Sequence, residues 1–317
     1  MKLVILDMLN HIITEKQWSV FDVFDDVIKY DNTKPEETID RIKDANAIIT
    51  NKVILGKNEL DAAKNLKYIG VVATGYNVVD VEYAKEKGIA VSNVPSYGTD
   101  TVAEFTFGIM LTLARRYELH YQAVKDGIWK EKNSFCFNLT PQFDLNGKTL
   151  GIVGFGKIGK RVSEIAKAFK MNILVLDRNN DHRLENGIEF VSLDNLLEKS
   201  DFISLHCNLN EDNYQMVNKT FLEKMKPTAY LLNMSRGGLV NEADLAHALN
   251  NNEIAGAGID TVSIEPIEEN NPLLNAKNII ITPHMAWLAK EAIDRILKTA
   301  VDNLKKFQDG ISQNRIV

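Results

Sequence analysis

The sequence is poor in cysteine. Its 317 residues include only two, Cys136 and Cys207. Two thiols cannot build a framework of several disulfides or a four-thiolate zinc site, and such low cysteine use is typical of proteins kept in a reducing compartment. The composition therefore predicts a cytoplasmic protein whose fold depends on its core rather than on cross-links.

Long hydrophobic runs and an excess of positive charge are also missing. The most apolar stretch, residues 105–113, is far shorter than the roughly 20 residues that cross a bilayer. Asp7 interrupts the first apolar run after four residues, which is too soon for a signal-peptide core. The 43 acidic residues outnumber the 37 basic ones, for a formal net charge of −6. Because nonspecific binding to nucleic acid needs a basic surface, we expect neither a membrane nor a nucleic acid as partner.

The sequence does contain a repeated alternation of short apolar runs and helical patterns. The runs typical of buried strands form two series, residues 3–6, 47–49, 69–72 and 89–91, then 150–153, 173–176, 202–205, 230–232, 256–259 and 279–281. Helical patterns in the first series lie at residues 38–43, 58–64 and 79–87. Such alternation favours the α/β class with parallel sheets, and the chain length fits two domains.

A helical segment from Thr99 to Asp126 is predicted between the two series, with Thr99 or Asp100 as its cap. Residues 102–113 are apolar on nearly every side. Such a helix is either buried all round within its own chain or shared with a second subunit. The following residues, 127–143, hold several aromatic side chains without a clear period, and they can also pack on a partner.

The strongest local signal is a glycine-rich turn that follows a strand pattern and precedes a helical one. It consists of Gly154, Phe155, Gly156, Lys157, Ile158 and Gly159. In this setting a dinucleotide pyrophosphate binds at the helix N-terminus.

The next strand pattern ends at Asp177, where an acid can accept hydrogen bonds from both ribose hydroxyls of NAD and repels a 2′-phosphate. The sequence therefore predicts NAD as cofactor, while the neighbouring Arg178 leaves tolerance of NADP open.

Polar side chains follow three later strand patterns of the second series. Arg236 follows residues 230–232, Asp260 with Glu265 follows residues 256–259, and His284 follows residues 279–281. The carboxyl ends of parallel strands share one sheet edge, which is where open α/β sheets bind ligands. Taken singly, these residues could be a surface ion pair, a loop carboxylate and a cap. The ordered set predicts an active site in which an Arg binds a carboxylate.

Together these motifs resemble the D-isomer-specific 2-hydroxyacid dehydrogenase family. The resemblance rests on the glycine turn, on residues 73–77, 101–104, 232–238 and 282–287, and on Asp260 with Glu265-Pro266. Trp287 and residues 73–80 and 265–274 are most similar to the glycerate dehydrogenase (hydroxypyruvate reductase) members. The resemblance implies NADH-dependent reduction of a small 2-keto acid, with hydroxypyruvate first and glyoxylate second, by a homodimer.

The resemblance also implies the domain arrangement. A Rossmann NAD-binding domain, residues 99–287, would be inserted into a flavodoxin-like parallel-sheet substrate-binding domain made of residues 1–98 and 288–317. The active site would lie in the cleft between the two domains.

Each matched residue acquires an expected role from the resemblance. His284 would donate a proton to the keto oxygen, Glu265 would hydrogen-bond the other ring nitrogen, and Arg236 would bind the substrate carboxylate and polarise the carbonyl. Trp287 would either line the substrate pocket or pack in the core. The further expected contacts are Thr74, Gly75 and Tyr76 to the substrate carboxylate, and Thr101, Cys207, Ser235 and Asp260 to the cofactor, with Asp260 facing the nicotinamide carboxamide. No metal is expected.

One departure and three alternatives belong with this interpretation. Asn208 replaces the proline that the family usually carries two residues after the histidine that corresponds to His206. We therefore expect a looser loop there, in which Cys207 is a cofactor contact or a small buried thiol.

The alternatives to this function are a D-lactate-type or broad-specificity reductase, a phosphoglycerate dehydrogenase and a corepressor-like NAD(H)-sensing scaffold. We expect the last two least, because the sequence leaves no room for an appended regulatory domain or for long disordered tails.

Overall fold

The computed structural model describes residues 1–176 and 183–317. They form two compact units, the first made of Met1–Gly98 with Leu288–Val317 and the second of Thr99–Trp287. Each unit is a sheet of wholly or mainly parallel strands with helices, so the predicted α/β class is confirmed. Which unit binds the substrate stays a prediction.

The first unit is built on a five-stranded parallel sheet. Its strands are β1 (Lys2–Ile5), β2 (Asp26–Lys29), β3 (Ala47–Thr50), β4 (Tyr68–Val71) and β5 (Ala90–Ser92). They follow the spatial order β2-β1-β3-β4-β5, which is the flavodoxin-like order. The four predicted strands are confirmed to within a residue at most ends. Strand β2 was not predicted, because this edge strand is only partly buried and its first residue is exposed.

Residues from both segments form the core of the first unit. Its helices are α1 (Glu15–Trp18), α2 (Pro35–Ile42), α3 (Lys57–Ala62), α4 (Val81–Glu86) and α12 (Lys290–Gln308), with a 3₁₀ turn at Ser19–Val23. The ring of Phe307 in α12 lies 4.9 Å from that of the buried Tyr68 in β4. Beyond α12, the Ile316 N–H donates to the carbonyl of Val91 in β5. Residues 288–317 are therefore an integral part of this unit.

The second unit is built on an eight-stranded sheet. Its strands are β6 (Thr149–Val153), β7 (Asn172–Leu176), β8 (Leu184–Glu185), β9 (Ile188–Val191), β10 (Phe202–Leu205), β11 (Tyr230–Asn233), β12 (Gly256–Ile259) and β13 (Ile279–Ile281). Within the order β13-β12-β11-β10-β6-β7-β9-β8, the six strands from β12 to β9 have the Rossmann order. All neighbours are parallel except β8 and β9. The six predicted strands are confirmed, whereas the short β8–β9 hairpin was missed.

The helices of the second unit correct one prediction. They are α5 (Thr99–Arg115), α6 (Tyr117–Lys125), α7 (Ile128–Lys132), α8 (Lys157–Ala168), α9 (Leu193–Lys199), α10 (Lys219–Glu223) and α11 (Glu242–Asn250). The segment 99–126 is not one helix, because Arg116 has a left-handed backbone with φ 46° that separates α5 from α6.

Helix α5 is also not buried on all sides by its own chain. Glu104 and Gly108 are exposed, and Leu111 and Thr112 are only partly buried. At this spacing the four residues lie on one side of the helix. The interpretation as a helix enclosed within a single chain is therefore wrong for this side. No helix in the described part of the chain is both long and apolar enough to span a bilayer.

Candidate active site

The glycine-rich turn between β6 and α8 is shaped by close backbone packing. Gly154 has φ 102°, and a Cβ on it would lie 2.5 Å from the backbone of His206 and Cys207. A Cβ on Gly159 would lie 2.1 Å from the carbonyl oxygen of Gly154. Both positions therefore exclude a side chain, as the motif predicts.

The same turn has room for an anionic ligand at Gly156. A Cβ there would meet nothing within 4 Å, and α8 begins at the next residue without a side-chain cap. The N-terminus of a twelve-residue helix attracts a phosphate through its N–H groups and its dipole. These residues fit a dinucleotide pyrophosphate. Asp177, the predicted ribose contact, lies outside the described residues, as does Arg178.

The residues after β10 pack against this turn. The His206 N–H donates to the carbonyl of Val153 over 2.7 Å, and its ring Nε2 is 2.8 Å from the Ser204 hydroxyl. Burial lowers the pKa of His206 to about 4, because a charged imidazolium would lose its hydration. The neutral ring of His206 therefore has a structural role beside the glycine-rich turn.

The segment at Asn208, where proline was expected, is held by side chains. Asn213 Nδ2 donates to the Asn208 carbonyl over 2.7 Å, and the Ser235 hydroxyl donates to the Cys207 carbonyl over 2.5 Å. Cys207 itself is a buried thiol, with 7 % of its surface exposed. These bonds supply restraint that a proline ring would otherwise give.

Arg236 lies on a turn that is organised by the buried Asn233 at the end of β11. The Asn233 carboxamide accepts from the Ser235 N–H over 3.0 Å and donates to the Arg236 carbonyl over 2.9 Å. The Arg236 side chain is exposed, and Nη1 donates to the carbonyl of Ser235. Asn233 lies within the matched residues 232–238, but no role was predicted for it; an Asn directly after a predicted buried strand is a signal for such a turn.

His284 and Glu265 are brought together, as the resemblance implies. Nδ1 of His284 lies 2.7 Å from Oε2 of Glu265. Since an ionised carboxylate only accepts hydrogen bonds, Nδ1 carries a proton and Nε2 is the ring nitrogen left for chemistry. The side chains keep 31 % and 36 % of their surface exposed. The pair can therefore exchange a proton with a ligand.

The backbone of His284 has an unusual conformation, with φ 49°, and Asp260 holds it there. The Asp260 carbonyl accepts from the His284 N–H over 2.8 Å. Its buried carboxylate accepts from the Thr282 hydroxyl and from the N–H groups of Met285 and Ala286, over 2.6 to 2.9 Å. Asp260 thus fixes both sides of the residue that carries the imidazole. Its contact with the nicotinamide carboxamide stays a prediction, and the contribution of Thr282 was missed.

In the first unit, the loop predicted to bind the substrate carboxylate follows β4. Thr74 and Tyr76 are exposed and Gly75 is partly buried. Asn93, beyond β5, donates from Nδ2 to the Thr74 carbonyl over 2.7 Å, and the Thr74 hydroxyl donates to the Val94 carbonyl over 3.1 Å. The loop lies at the carboxyl end of a parallel strand, where its N–H groups can receive an anion.

The two remaining predicted residues lie in the second unit. Thr101 is partly buried in the first turn of α5, and Trp287 packs, partly buried, against the apolar cluster that includes Met234 and Ala286. Core packing therefore explains at least part of the burial of the Trp287 side chain. Among residues 1–176 and 183–317, no group of three or more His, Cys, Asp or Glu side chains is arranged to hold a metal ion.

Comparison with known proteins adds three findings. A family model described as "D-isomer specific 2-hydroxyacid dehydrogenase, NAD binding domain" matches residues 107–286. The chain is 42 % identical to hydroxypyruvate reductase of Blautia hydrogenotrophica, covering 99 % of both chains, and 39 % identical to glycerate dehydrogenase of Methylorubrum extorquens, covering 90 % of both. The solved D-lactate dehydrogenase of Aquifex aeolicus, complexed with NAD and lactic acid, matches with a TM-score of 0.82 and 28 % identity, over 98 % of this chain and 96 % of that one.

Proposed function

Because the chain belongs to the D-isomer-specific 2-hydroxyacid dehydrogenase family and carries its NAD-binding domain, we propose that it reduces hydroxypyruvate to D-glycerate, with glyoxylate as a second substrate. The observation that carries the proposal is the 2.7 Å contact between His284 and Glu265, in the unit that also holds the glycine turn and Arg236. Relatives named for hydroxypyruvate and glycerate support the choice of substrate.

In the proposed reaction, His284 is the general acid. NADH, when bound at the glycine-rich turn, would supply the hydride that reduces the carbonyl carbon of the keto acid. The electron pair of the C=O bond moves to the oxygen, which takes a proton from Nε2 of His284 and becomes the hydroxyl. Glu265 accepts the hydrogen bond from Nδ1 and so orients the ring, and solvent returns the proton to Nε2 after the reaction.

Arg236 is proposed to bind the keto acid and to polarise it. Its planar guanidinium can donate two parallel hydrogen bonds to the carboxylate. The same fixed positive charge stabilises the negative charge that develops on the carbonyl oxygen. The assignment of the Thr74–Tyr76 backbone to the substrate carboxylate and of Trp287 to the pocket wall stays a prediction.

A turnover assay tests the proposal directly. NADH oxidation is measured with hydroxypyruvate, glyoxylate, pyruvate and phenylpyruvate in turn, and we expect the highest kcat/KM with hydroxypyruvate. His284→Gln should reduce kcat by about 10² to 10⁴, the usual contribution of a general acid, while NADH still binds. Turnover near that of the unaltered enzyme in His284→Gln would contradict the acid assignment.

A D-lactate-type reductase is the second candidate, because the fold closely matches a D-lactate dehydrogenase solved with NAD and lactic acid. Pyruvate as the best substrate of the panel would favour it. Absence of turnover with all four keto acids would instead favour a nicotinamide-sensing scaffold.

The preference for NADH over NADPH is proposed to depend on Asp177. Repeating the assay with NADPH, and with Asp177→Ala, measures the preference. We expect a higher KM for NADH in the variant and an unchanged KM for the keto acid, because the carboxylate would contact only the ribose. An unchanged cofactor preference would contradict the ribose contact.

A homodimer is proposed to cover the open side of α5. Leu111 is only partly buried there, and nearby in sequence Trp129 and Phe135 are 46 % and 91 % exposed. Apolar surface of this kind commonly marks an interface between subunits. Sedimentation equilibrium should show a dimer for the unaltered chain and a monomer for Leu111→Glu; a monomeric unaltered chain would contradict the proposal. The cytoplasmic location stays a prediction.

A further inference from the structure

The loop that carries Glu265 has little to hold it in place by itself. Residues 262–271 join β12 to a 3₁₀ turn at Pro272–Asn275 and contain no regular structure. Ser263, Ile264 and Glu265 are all exposed, Ile264 to 53 %. Exposed loops of this kind open at low free-energy cost. The short contact between Glu265 and His284 therefore requires an anchor from outside the loop.

Glu242, in the first turn of α11, supplies contacts to both ends of this loop. Its Oε1 accepts from the Ser263 N–H over 2.7 Å. Its Oε2 accepts from the Ser263 hydroxyl over 2.7 Å and from Nδ2 of Asn271 over 2.9 Å. Asn271 is itself buried, and its Oδ1 accepts from the Leu273 N–H at the start of the 3₁₀ turn. One side chain thus ties residues eight positions apart across the base of the loop.

The three bonds require a carboxylate. Two N–H groups and one hydroxyl converge on two oxygens, and an ionised carboxylate accepts at both. A Gln in the same place would turn an NH₂ group toward at least one of these donors. The start of α11 also favours a negative charge, because the helix dipole is positive there.

A second contact fixes the same end of the loop against the Arg236 turn. A Cβ on Gly237 would lie 1.9 Å from the backbone carbon of Val262 and 2.4 Å from the Ser263 nitrogen. The backbone of the loop therefore packs directly on the residue after Arg236. The place of Ser263 is thereby set relative to both Arg236 and Glu242.

From this geometry we infer that Glu242 is a positioning residue for the reaction. By closing the loop at Ser263 and Asn271, it keeps the Glu265 carboxylate in contact with Nδ1 of His284. It acts only through Glu265, without touching the substrate or the cofactor. The inference rests on the proposed function, in which Glu265 supports the general acid.

The experiment compares Glu242→Gln with a matched control on the same helix. Asp244→Asn is also a carboxylate-to-amide change, at a side chain that accepts from the Lys219 N–H over 2.9 Å and lies outside the Glu265 loop. We expect Glu242→Gln to lower kcat/KM for hydroxypyruvate by about tenfold to a hundredfold, as small displacements of catalytic groups do. NADH binding, followed by fluorescence, should stay unchanged in both variants, and Asp244→Asn should keep full turnover.

Two further readouts separate positioning from general destabilisation. The loss in Glu242→Gln should lie in kcat rather than in KM for hydroxypyruvate, as it should in Glu265→Gln, because Arg236 and not Glu265 is proposed to bind the carboxylate. In a double-mutant cycle, Glu242→Gln should add little once Glu265 is Gln, because the two residues act in series. Ser263→Ala, which keeps the N–H bond to Oε1, should show a smaller loss than Glu242→Gln.

Defined outcomes would overturn the inference. Turnover of Glu242→Gln equal to that of the unaltered enzyme would do so, and so would an equal fold-loss with and without Glu265. Hydrogen exchange gives a test that needs no activity, since amides of residues 262–271 should exchange faster in Glu242→Gln and not in Asp244→Asn. Unchanged exchange also overturns the inference. If the unaltered enzyme reduces no 2-keto acid, the proposed function fails, while the exchange comparison still decides the role of Glu242 in the loop.

Discussion

Acidification should destabilise the second unit through one partly buried histidine. His206 follows β10, next to Gly154, and burial lowers its pKa from 6.5 to about 4. The unfolded chain therefore binds a proton between these two values while the folded chain does not. The free energy of unfolding must fall as the pH is lowered through this window, and the loss is complete below about pH 4.

The size of the effect follows from the two pKa values. At pH 7.5 both states carry a neutral ring, so the contribution to the free energy of unfolding is close to zero. At pH 5.0 nearly all unfolded chains and few folded chains are protonated at this site, which corresponds to a loss of about 2 kcal/mol. Because part of His206 is accessible to solvent, this figure is an upper limit.

Urea titrations at pH 7.5 and pH 5.0, followed by circular dichroism, measure the loss. His206→Asn should show a smaller difference between the two pH values than the unaltered chain, because it removes the group that titrates. His247→Asn is the matched control, since this exposed residue lies 3.6 Å from Glu253 at the surface. Equal pH dependence in the unaltered chain and in His206→Asn would refute the reasoning.

Three further predictions concern the turn and the catalytic loops. Gly154→Ala should lower the free energy of unfolding by about 1–3 kcal/mol, because the residue has a positive φ and a Cβ there would meet the backbone of His206 and Cys207. Gly156→Ala should fold normally and lose NADH affinity. Equal stability of the two variants in urea would contradict this prediction. Arg236→Lys should raise KM for the keto acid about tenfold or more, since an ammonium group cannot donate the two parallel hydrogen bonds of the guanidinium. KM for NADH should be unchanged. Asp260→Asn should lower kcat, because an amide NH₂ group would face a donor among the N–H groups of Met285 and Ala286, which now donate hydrogen bonds to the carboxylate. An unchanged kcat in steady-state kinetics would contradict this prediction.

Much of the fold could be predicted because each predicted strand is a short run of mainly apolar residues that follows or precedes a helical pattern. The elements that were missed lack that signal. The edge strand β2 is partly exposed, and β8 contributes two exposed residues. The break at Arg116 depends on one left-handed residue, and the local sequence contains neither the glycine nor the proline that usually marks such a position.

The site shows the same division between groups with a known chemistry and groups that hold them. His284 and Glu265 could be paired from the sequence, because the motif carries both. Glu242 could not, since its role depends on which groups of the loop the fold brings within 3 Å of it. A Glu in the first turn of a helix also has an ordinary explanation as a favourable charge at the helix N-terminus.

The way residues 288–317 complete the first unit has a consequence for the order in which the chain can fold. On the ribosome, β1 to β5 emerge first, but α12 and the residues that pair with β5 emerge only after all 189 residues of the second unit. Until α12 has emerged, part of the apolar surface of the nascent first sheet therefore remains uncovered. The second unit can meanwhile close around its own sheet, because it is one continuous stretch of chain. Synthesis thus favours a protein whose nucleotide-binding unit is folded before its other unit is finished.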